Sequence, residues 1–421
     1  LISAGERRID RHSVVTLHRL AILREDDSEV FVGRPDANRY ISVPGIGADI
    51  IERLSLGRTV AEIERELAAD GGEEIDVLGF VEELRRSYDF VHRIDGVTVS
   101  EPEAPRDRFA WIPAKVGAAL FGPKMYIAAG GLLLLSIGWI ARDPSALPTV
   151  ADFFAVSSPA VNVALAAAFA WSLLFLHELA HVAAARPFGV PCRIGIGHRF
   201  VFPVAETDMT GIVMAPRRER YRAYLAGMLI DSLLFTAGVG VAALQTVGVL
   251  MLEAQASALV RMVHFHALHM LLFQCLFFLK TDLYYVITTY ARCGELLEHT
   301  YVFLRRLLRL ARPADDEAWA AVPARERKLI YGYAAFVVVG LALTLYWFFS
   351  YYLPLTYRLC ALAFDRLAAY PVGFWPGVEA LLLLAVQGLP FGLLLNSWAA
   401  ELLRRRREGG ERDEENQGET G

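Results

Sequence analysis

Apolar positions are spread unevenly along the 421-residue chain. Up to residue 98 they recur in the short periods of a soluble domain. Val30-Phe31-Val32 and Tyr40-Ile41-Ser42-Val43 flank the turn-rich Gly33-Arg34-Pro35-Asp36, which predicts a β-hairpin. Three short helices should follow. The second opens at a capping box of Thr59 and Glu62 and sets Val60, Ile63 and Leu67 on one face, and the third aligns Val77, Val81, Leu84 and Tyr88. This order predicts an α+β, winged-helix-like soluble domain over residues 1–98, followed by a linker at 99–115.

From residue 116 to 403 the apolar runs lengthen to the roughly 20 residues that cross a bilayer as a helix. Six transmembrane helices are predicted, at 125–141, 156–185, 221–244, 259–290, 329–352 and 372–400, so the fold class is a polytopic α-helical membrane protein. No apolar signal core precedes them, and the first span is expected to direct insertion. Between the second and third spans, residues 189–208 alternate apolar and polar positions (Ile194, Ile196, then Phe200, Phe202) and predict a second β-hairpin. Arginines crowd the connections after the second and fourth spans and the stretch Arg404 to Arg407 after the sixth, while the other connections carry few. The positive-inside rule then places both termini in the cytoplasm of a multi-pass cell membrane protein. The tail at 404–421, basic and then acidic, lacks apolar periodicity and is expected to be disordered.

Charge narrows the partners. The chain carries a net charge of −5, and its first 98 residues hold thirteen arginines, no lysine and twenty acidic residues, a balance of −7. A winged helix of that sign is a poor partner for phosphates, so nucleic acid is excluded. The cysteines, Cys192, Cys275, Cys293 and Cys360, have no CxxC spacing and read as packing residues.

The candidate chemistry lies in the second span. His177-Glu178-Leu179-Ala180-His181 puts two imidazoles at i and i+4 on one helical face, with a carboxylate beside them. Neutral imidazoles suit Zn2+, and an adjacent carboxylate can take a proton from water and return it to a leaving amine. Ionisable groups in a lipid-facing segment are costly and mark function, the alternative being side chains that snorkel at a helix end. His177 precedes Arg186 by nine residues, about 13 Å from the boundary at the helical rise. A third ligand must reach that depth from another helix. Asp282, ten residues before Arg292 and so about 15 Å in, qualifies. Asp231, nine residues after Arg222 on the intervening span, reaches a similar level. His264, His266 and His269 form another cluster, but the last of them lies about 20 Å from Asp282 on a continuous helix and shares its metal only if that helix breaks.

These residues resemble the site-2 protease family of intramembrane zinc metalloproteases, and its branch of peptide zinc metalloproteases, over residues 170–290. The resemblance implies that His177 and His181 bind zinc, that Glu178 is the general base, and that Asp282 stands for the aspartate of the family's LDG-like motif as third ligand. Thr281-Asp282-Leu283 replaces Leu-Asp-Gly here, while Tyr284-Tyr285 agrees with the narrower branch. The family's AGPxxN segment is similar to Ala226-Gly227-Met228 through Asp231, with Met for Pro and Asp for Asn, and Gln274 represents an asparagine often found before the LDG aspartate. Asp231 and Gln274 are therefore candidates for positioning substrate or stabilising an oxyanion, with polar packing as the alternative. The second hairpin could hold an extended substrate by strand addition or be an ordinary surface hairpin.

The N-terminal domain is similar in its order of elements to the pyrroloquinoline-quinone biosynthesis D-like domain, the recognition element for ribosomally made, modified peptides. That implies capture of a leader peptide as an added strand; a structural or regulatory domain is the alternative. Together the resemblances imply an intramembrane zinc metalloendopeptidase that cleaves a peptide or membrane-associated substrate in the maturation of a ribosomally made peptide, within a lipid bilayer. Regulated intramembrane proteolysis of a membrane-anchored regulator, or a non-proteolytic peptide exporter with a metal site, are the competing expectations.

Overall fold

The computed structural model describes residues 9–26, 29–69, 75–102, 107–199, 202–369 and 373–418. Contacts divide the chain into two compact units. One comprises residues 1–121, 182–193 and 208–223, and the other 122–181, 194–207 and 224–421.

In the first unit β2 (Ala21–Asp26), β3 (Glu29–Arg34) and β4 (Arg39–Val43) follow a short β1 (Val15–Leu17) and form an antiparallel meander. The expected hairpin is β3–β4, in the register Val32 with Ile41 and Val30 with Val43, and the period of two buries Val30, Val32 and Val43 together. Helices α1 (Gly45–Ser55), α2 (Val60–Ala69) and α3 (Val77–Arg86) follow. Thr59 and Glu62 exchange the two bonds of a capping box, at 2.9 and 3.3 Å. Val60, Ile63, Leu67, Val77 and Val81 fill one core with Ile50 and Leu54 of α1. A second small sheet, β1 with β5 (Val91–Ile94) and β6 (Val97–Thr98), closes this core, and neither β1 nor β5 was expected from the sequence. Residues 99–102 and 107–115, expected as a linker, belong to this unit. So does the segment after the second hairpin: Arg220, 5% exposed, sits 2.9 Å from Glu25 and over the Phe31 ring, and Asn38 donates to Asp208 at 3.0 Å.

Arg34 is fully buried in this unit. Its guanidinium donates to the Asp36 carboxylate (3.2 Å), the Asp89 carboxylate (2.7 Å) and the carbonyls of Asp89 (2.6 Å) and Glu101 (3.0 Å).

The chain has six helices long and apolar enough to cross a membrane: 114–142, 159–188, 226–246, 254–274, 324–368 and 374–399. This makes it a multi-pass membrane protein. The first joins α4 (Ala114–Leu120) to α5 (Pro123–Arg142), and the second is α6 (Pro159–Ala185) with one 3-10 turn. After it come β7 (Arg193–Arg199) and β8 (Phe202–Asp208), the expected second hairpin, whose Phe200 lies outside the described residues. Helix α7 (Arg217–Tyr224) leads to α8 (Ala226–Thr246) and α9 (Ala254–Gln274). Phe235 and Val239 of α8 pack with Ala267 of α9 and with Trp139 and Ile140 of α5.

The fourth span is shorter than expected. It stops at Gln274, a 3-10 turn occupies Phe277–Leu279, Lys280 turns left-handed (φ 55°), and α10 (Asp282–Ala291) starts afresh. Then follow α11 (Leu296–Leu307) and α12 (Pro313–Ala321). The fifth span is longer than expected: α13 (Ala324–Trp347) passes through a π turn at Phe348–Tyr352 into α14 (Leu353–Ala368). The π turn accommodates Pro354, which lacks the amide that an uninterrupted α-helix would need. Finally α15 (Phe374–Gly418) carries the sixth span and continues helically through the stretch expected to be disordered. Extending a nucleated helix through Glu- and Arg-rich sequence costs little. Residues 419–421 lie outside the described residues.

Candidate metal centre

Helix α6 brings His177 and His181 one turn apart on a single face, with ring centroids 4.9 Å apart. Both are buried, at 3% and 2% exposure. The break before α10 delivers the third group. Because α10 begins at Asp282, that carboxylate sits in a first turn, where helix geometry favours negative charge. Asp282 Oδ2 lies 3.1 Å from His177 Nε2 and 3.2 Å from His181 Nε2, and the two Nε2 atoms are 3.2 Å apart. Asp282 Oδ2 is buried and has no hydrogen-bond partner.

This triangle has the dimensions that one face of a zinc coordination tetrahedron would need. Ligands bonded to zinc at about 2.0–2.1 Å in tetrahedral geometry stand about 3.3–3.4 Å from one another. The observed edges of 3.1–3.2 Å are close to that, in donor atoms whose lone pairs converge. Two imidazoles and one carboxylate would supply three of the four ligands of a tetrahedral zinc ion, the donor number of catalytic zinc sites.

A surrounding set of contacts fixes the three donors. His177 Nδ1 is 2.8 Å from Asp231 Oδ2, a buried carboxylate (1% exposed) that favours a proton on Nδ1, as the outer partner of a metal-ligating histidine does. The side-chain oxygen of Gln274 accepts from the Asp282 amide at 3.0 Å, and Thr281 Oγ1 donates to the Gln274 carbonyl at 2.8 Å, so the end of α9 positions the start of α10. Asp231 and Gln274, candidates for substrate or oxyanion positioning, thus contact His177 and the Asp282 amide directly. Gly227 is required by close approach: a Cβ there would lie 2.3 Å from His177 Cε1 and Nε2.

Glu178 is 6% exposed. Thr207 Oγ1, on β8, lies 2.8 Å from its Oε2 and 3.0 Å from its carbonyl oxygen, donating between the two. Thr207 and Gly227 were not anticipated. Thr207 is 29 residues away in a hairpin whose register the sequence leaves open, whereas Gly227 stood inside the Ala226-Gly227 pair and signalled only a possible close approach.

The helix break does not recruit the other histidines. His264 is buried against the Phe235 ring and over Gly238, and His266 and His269 donate from Nδ1 to the carbonyls of Met262 and Phe265 on their own helix. Among the described residues the groups of three that could hold a metal are His177, His181 and Asp282, and separately Cys293, His299 and Glu326. Comparison of the chain with protein-family models, with curated proteins and with solved structures found no match.

Proposed function

We propose that the chain is an intramembrane zinc metalloendopeptidase, similar to the site-2 protease family, that cleaves a peptide or membrane-associated substrate. One observation carries the reading: His177 Nε2, His181 Nε2 and Asp282 Oδ2 face one another at 3.1–3.2 Å, the two imidazoles and the adjoining Glu178 lying on a helix apolar enough to cross a membrane and Asp282 opening α10. Zinc held there supplies Lewis acidity, which polarises a scissile carbonyl and makes a water easier to deprotonate.

The chain's own residues then do the following. His177, His181 and Asp282 hold the ion, and Asp231 keeps the His177 proton away from it. Glu178 takes the proton from the attacking water and delivers it to the leaving amine. Its carboxylate must first exchange Thr207 for that water, so Thr207 sets where the base rests. None of His177, Glu178, His181 and Asp282 exposes more than 16% of its area, which excludes bulk water and requires neighbouring elements to shift before a peptide can reach the base. Strand β8, which carries Thr207, is the element whose shift uncovers Glu178.

The substrate reading adds a leader peptide to this chemistry. The N-terminal domain is read as winged-helix-like, and its meander ends in β2 and β4, whose outer sides pair with no strand among the described residues. An extended leader would add there. Both termini are assigned to the cytoplasm by the distribution of arginines.

The test is Glu178→Gln. Peptide hydrolysis should fall by about 10²- to 10⁴-fold while zinc stays at wild-type stoichiometry. Unchanged hydrolysis, or export of an uncleaved peptide by both proteins, would overturn the proposal.

A further inference from the structure

Helix α10 ends in a Schellman turn: Arg292 adopts the left-handed conformation (φ 54°) and the Cys293 amide donates to the Thr288 carbonyl at 3.0 Å. The turn directs Cys293 inward, where it is 2% exposed. Two other elements converge on it. His299 comes from the first turns of α11, and Glu326 from the first turn of α13, with side-chain exposures of 22% and 11%. One donor atom from each residue lies within 4.8 Å of the other two. His299 Nδ1 is 4.0 Å from Glu326 Oε2.

The histidine is oriented for ligation. Its Nε2 faces the Glu295 carboxylate at 3.5 Å, one helical turn back, which favours the proton on that nitrogen. Nδ1 is then the bare nitrogen. It is buried and has no hydrogen-bond partner, a costly state for a polar atom unless something else occupies its lone pair. Arg325 neighbours Glu326 at 3.7 Å and offers nothing to Nδ1.

We propose that Cys293 Sγ, His299 Nδ1 and a Glu326 oxygen form a second divalent-cation site, suited to a borderline-soft ion such as zinc, that ties together the ends of α10, α11 and α13. Thiolate, imidazole and carboxylate are each established zinc ligands, and bonds of about 2.0–2.3 Å would draw the three donors about 1 Å closer than they now stand. Binding exchanges the thiol proton for the cation and releases it to solvent, so charge and atoms balance. The site is independent of the His177 centre in its ligands, yet it bears on it: Asp282 opens α10 and Cys293 follows its last turn, so a clasp at one end fixes the helix that presents a ligand at the other.

Cobalt separates the two sites, because a thiolate ligand gives a near-ultraviolet charge-transfer band and the His177 centre contains no sulfur. Full-length protein in detergent, stripped by chelator, is titrated with Co2+. The band should appear in wild type, saturate at one equivalent in the His177→Ala/His181→Ala double variant, and vanish both in Cys293→Ser and in His299→Ala, with helix content by circular dichroism equal to wild type. Absence of the band in folded wild-type protein overturns the site. So does its survival in Cys293→Ser, which would assign it to another cysteine, or its survival undiminished in His299→Ala, which would leave the thiol binding alone. None of these results depends on whether the chain hydrolyses peptides.

Discussion

Arg34 and His177 are both buried polar side chains, but their surroundings end differently. Around Arg34 the donors of a guanidinium meet two carboxylates and two carbonyls, all at hydrogen-bonding distance, and the network is closed. Around His177 one nitrogen is bonded to Asp231, while the other points at two further lone-pair donors, and Asp282 Oδ2 has no hydrogen-bond partner. Buried polar atoms are almost always matched within the protein. A closed network serves the fold, whereas an unmatched Asp282 Oδ2 facing two imidazoles is the arrangement that the proposed cation would complete.

The comparison can be broken by experiment. The largest effect should come from Gly227→Ala, which drives the His177 ring off its position. Hydrolysis should fall by about 100-fold or more, with loss of zinc from the centre measured in a Cys293→Ser background. Full zinc occupancy would mean that α6 and α8 separate without cost. Asp231→Asn should come next. An amide can present its NH2 to Nδ1 and move the ring proton to Nε2, so zinc affinity should drop about 10- to 100-fold by competition with a chelator. An unchanged affinity would make Asp231 a packing residue.

Arg34→Met sharpens the other side of the contrast. It strands the carbonyls of Asp89 and Glu101, and because Asp36 and Asp89 remain partly exposed (25% and 33%) the loss should be about 2–4 kcal/mol. Amide hydrogen exchange in α3 and β3 of the full-length chain reads it, and zinc content should not move. Exchange equal to wild type would show that Arg34 closes nothing.

The smallest effect is a pH dependence. His18 is buried, and burial and then the Arg34 guanidinium hold its imidazole below the ordinary value. The folded domain therefore keeps His18 neutral while the unfolded chain takes up a proton below about pH 6.5. Stability is complete above that pH and declines as pH falls through it. His18→Asn should flatten this slope in the same exchange measurement; an identical slope would assign it to another group.

Much of the site could be read from sequence, for identifiable reasons. A spacing of four puts His177 and His181 on one helix face wherever the helix lies, and counting residues from flanking arginines set Asp282 at the same depth. The break ahead of Asp282 could not be read. From Leu271 to Tyr285 no glycine or proline interrupts the apolar run, and the left-handed residue is Lys280, a type that gives no warning. The roles of Asp231 and Gln274 were equally hidden, since a carboxylate or amide that positions a ligand looks the same in sequence as one that contacts substrate. Cys293 packs in a buried core, as its spacing suggested, and its closeness to His299 and Glu326 could not be read because those residues lie on different helices. In the N-terminal domain the capping box and the β3–β4 register followed from local rules, whereas β1 and β5 pair across most of the domain and leave no local signal.

Gln274 holds the Asp282 amide, Asp231 holds the His177 ring, and the backbone of α6 sets the spacing of the imidazoles, all through bonds that involve no ion. Small zinc domains unravel when a chelator takes their metal. This centre is also held by bonds between the chain's own residues. On the proposed function, depletion of zinc would then silence the protein without unravelling the centre, and activity would return with the ion.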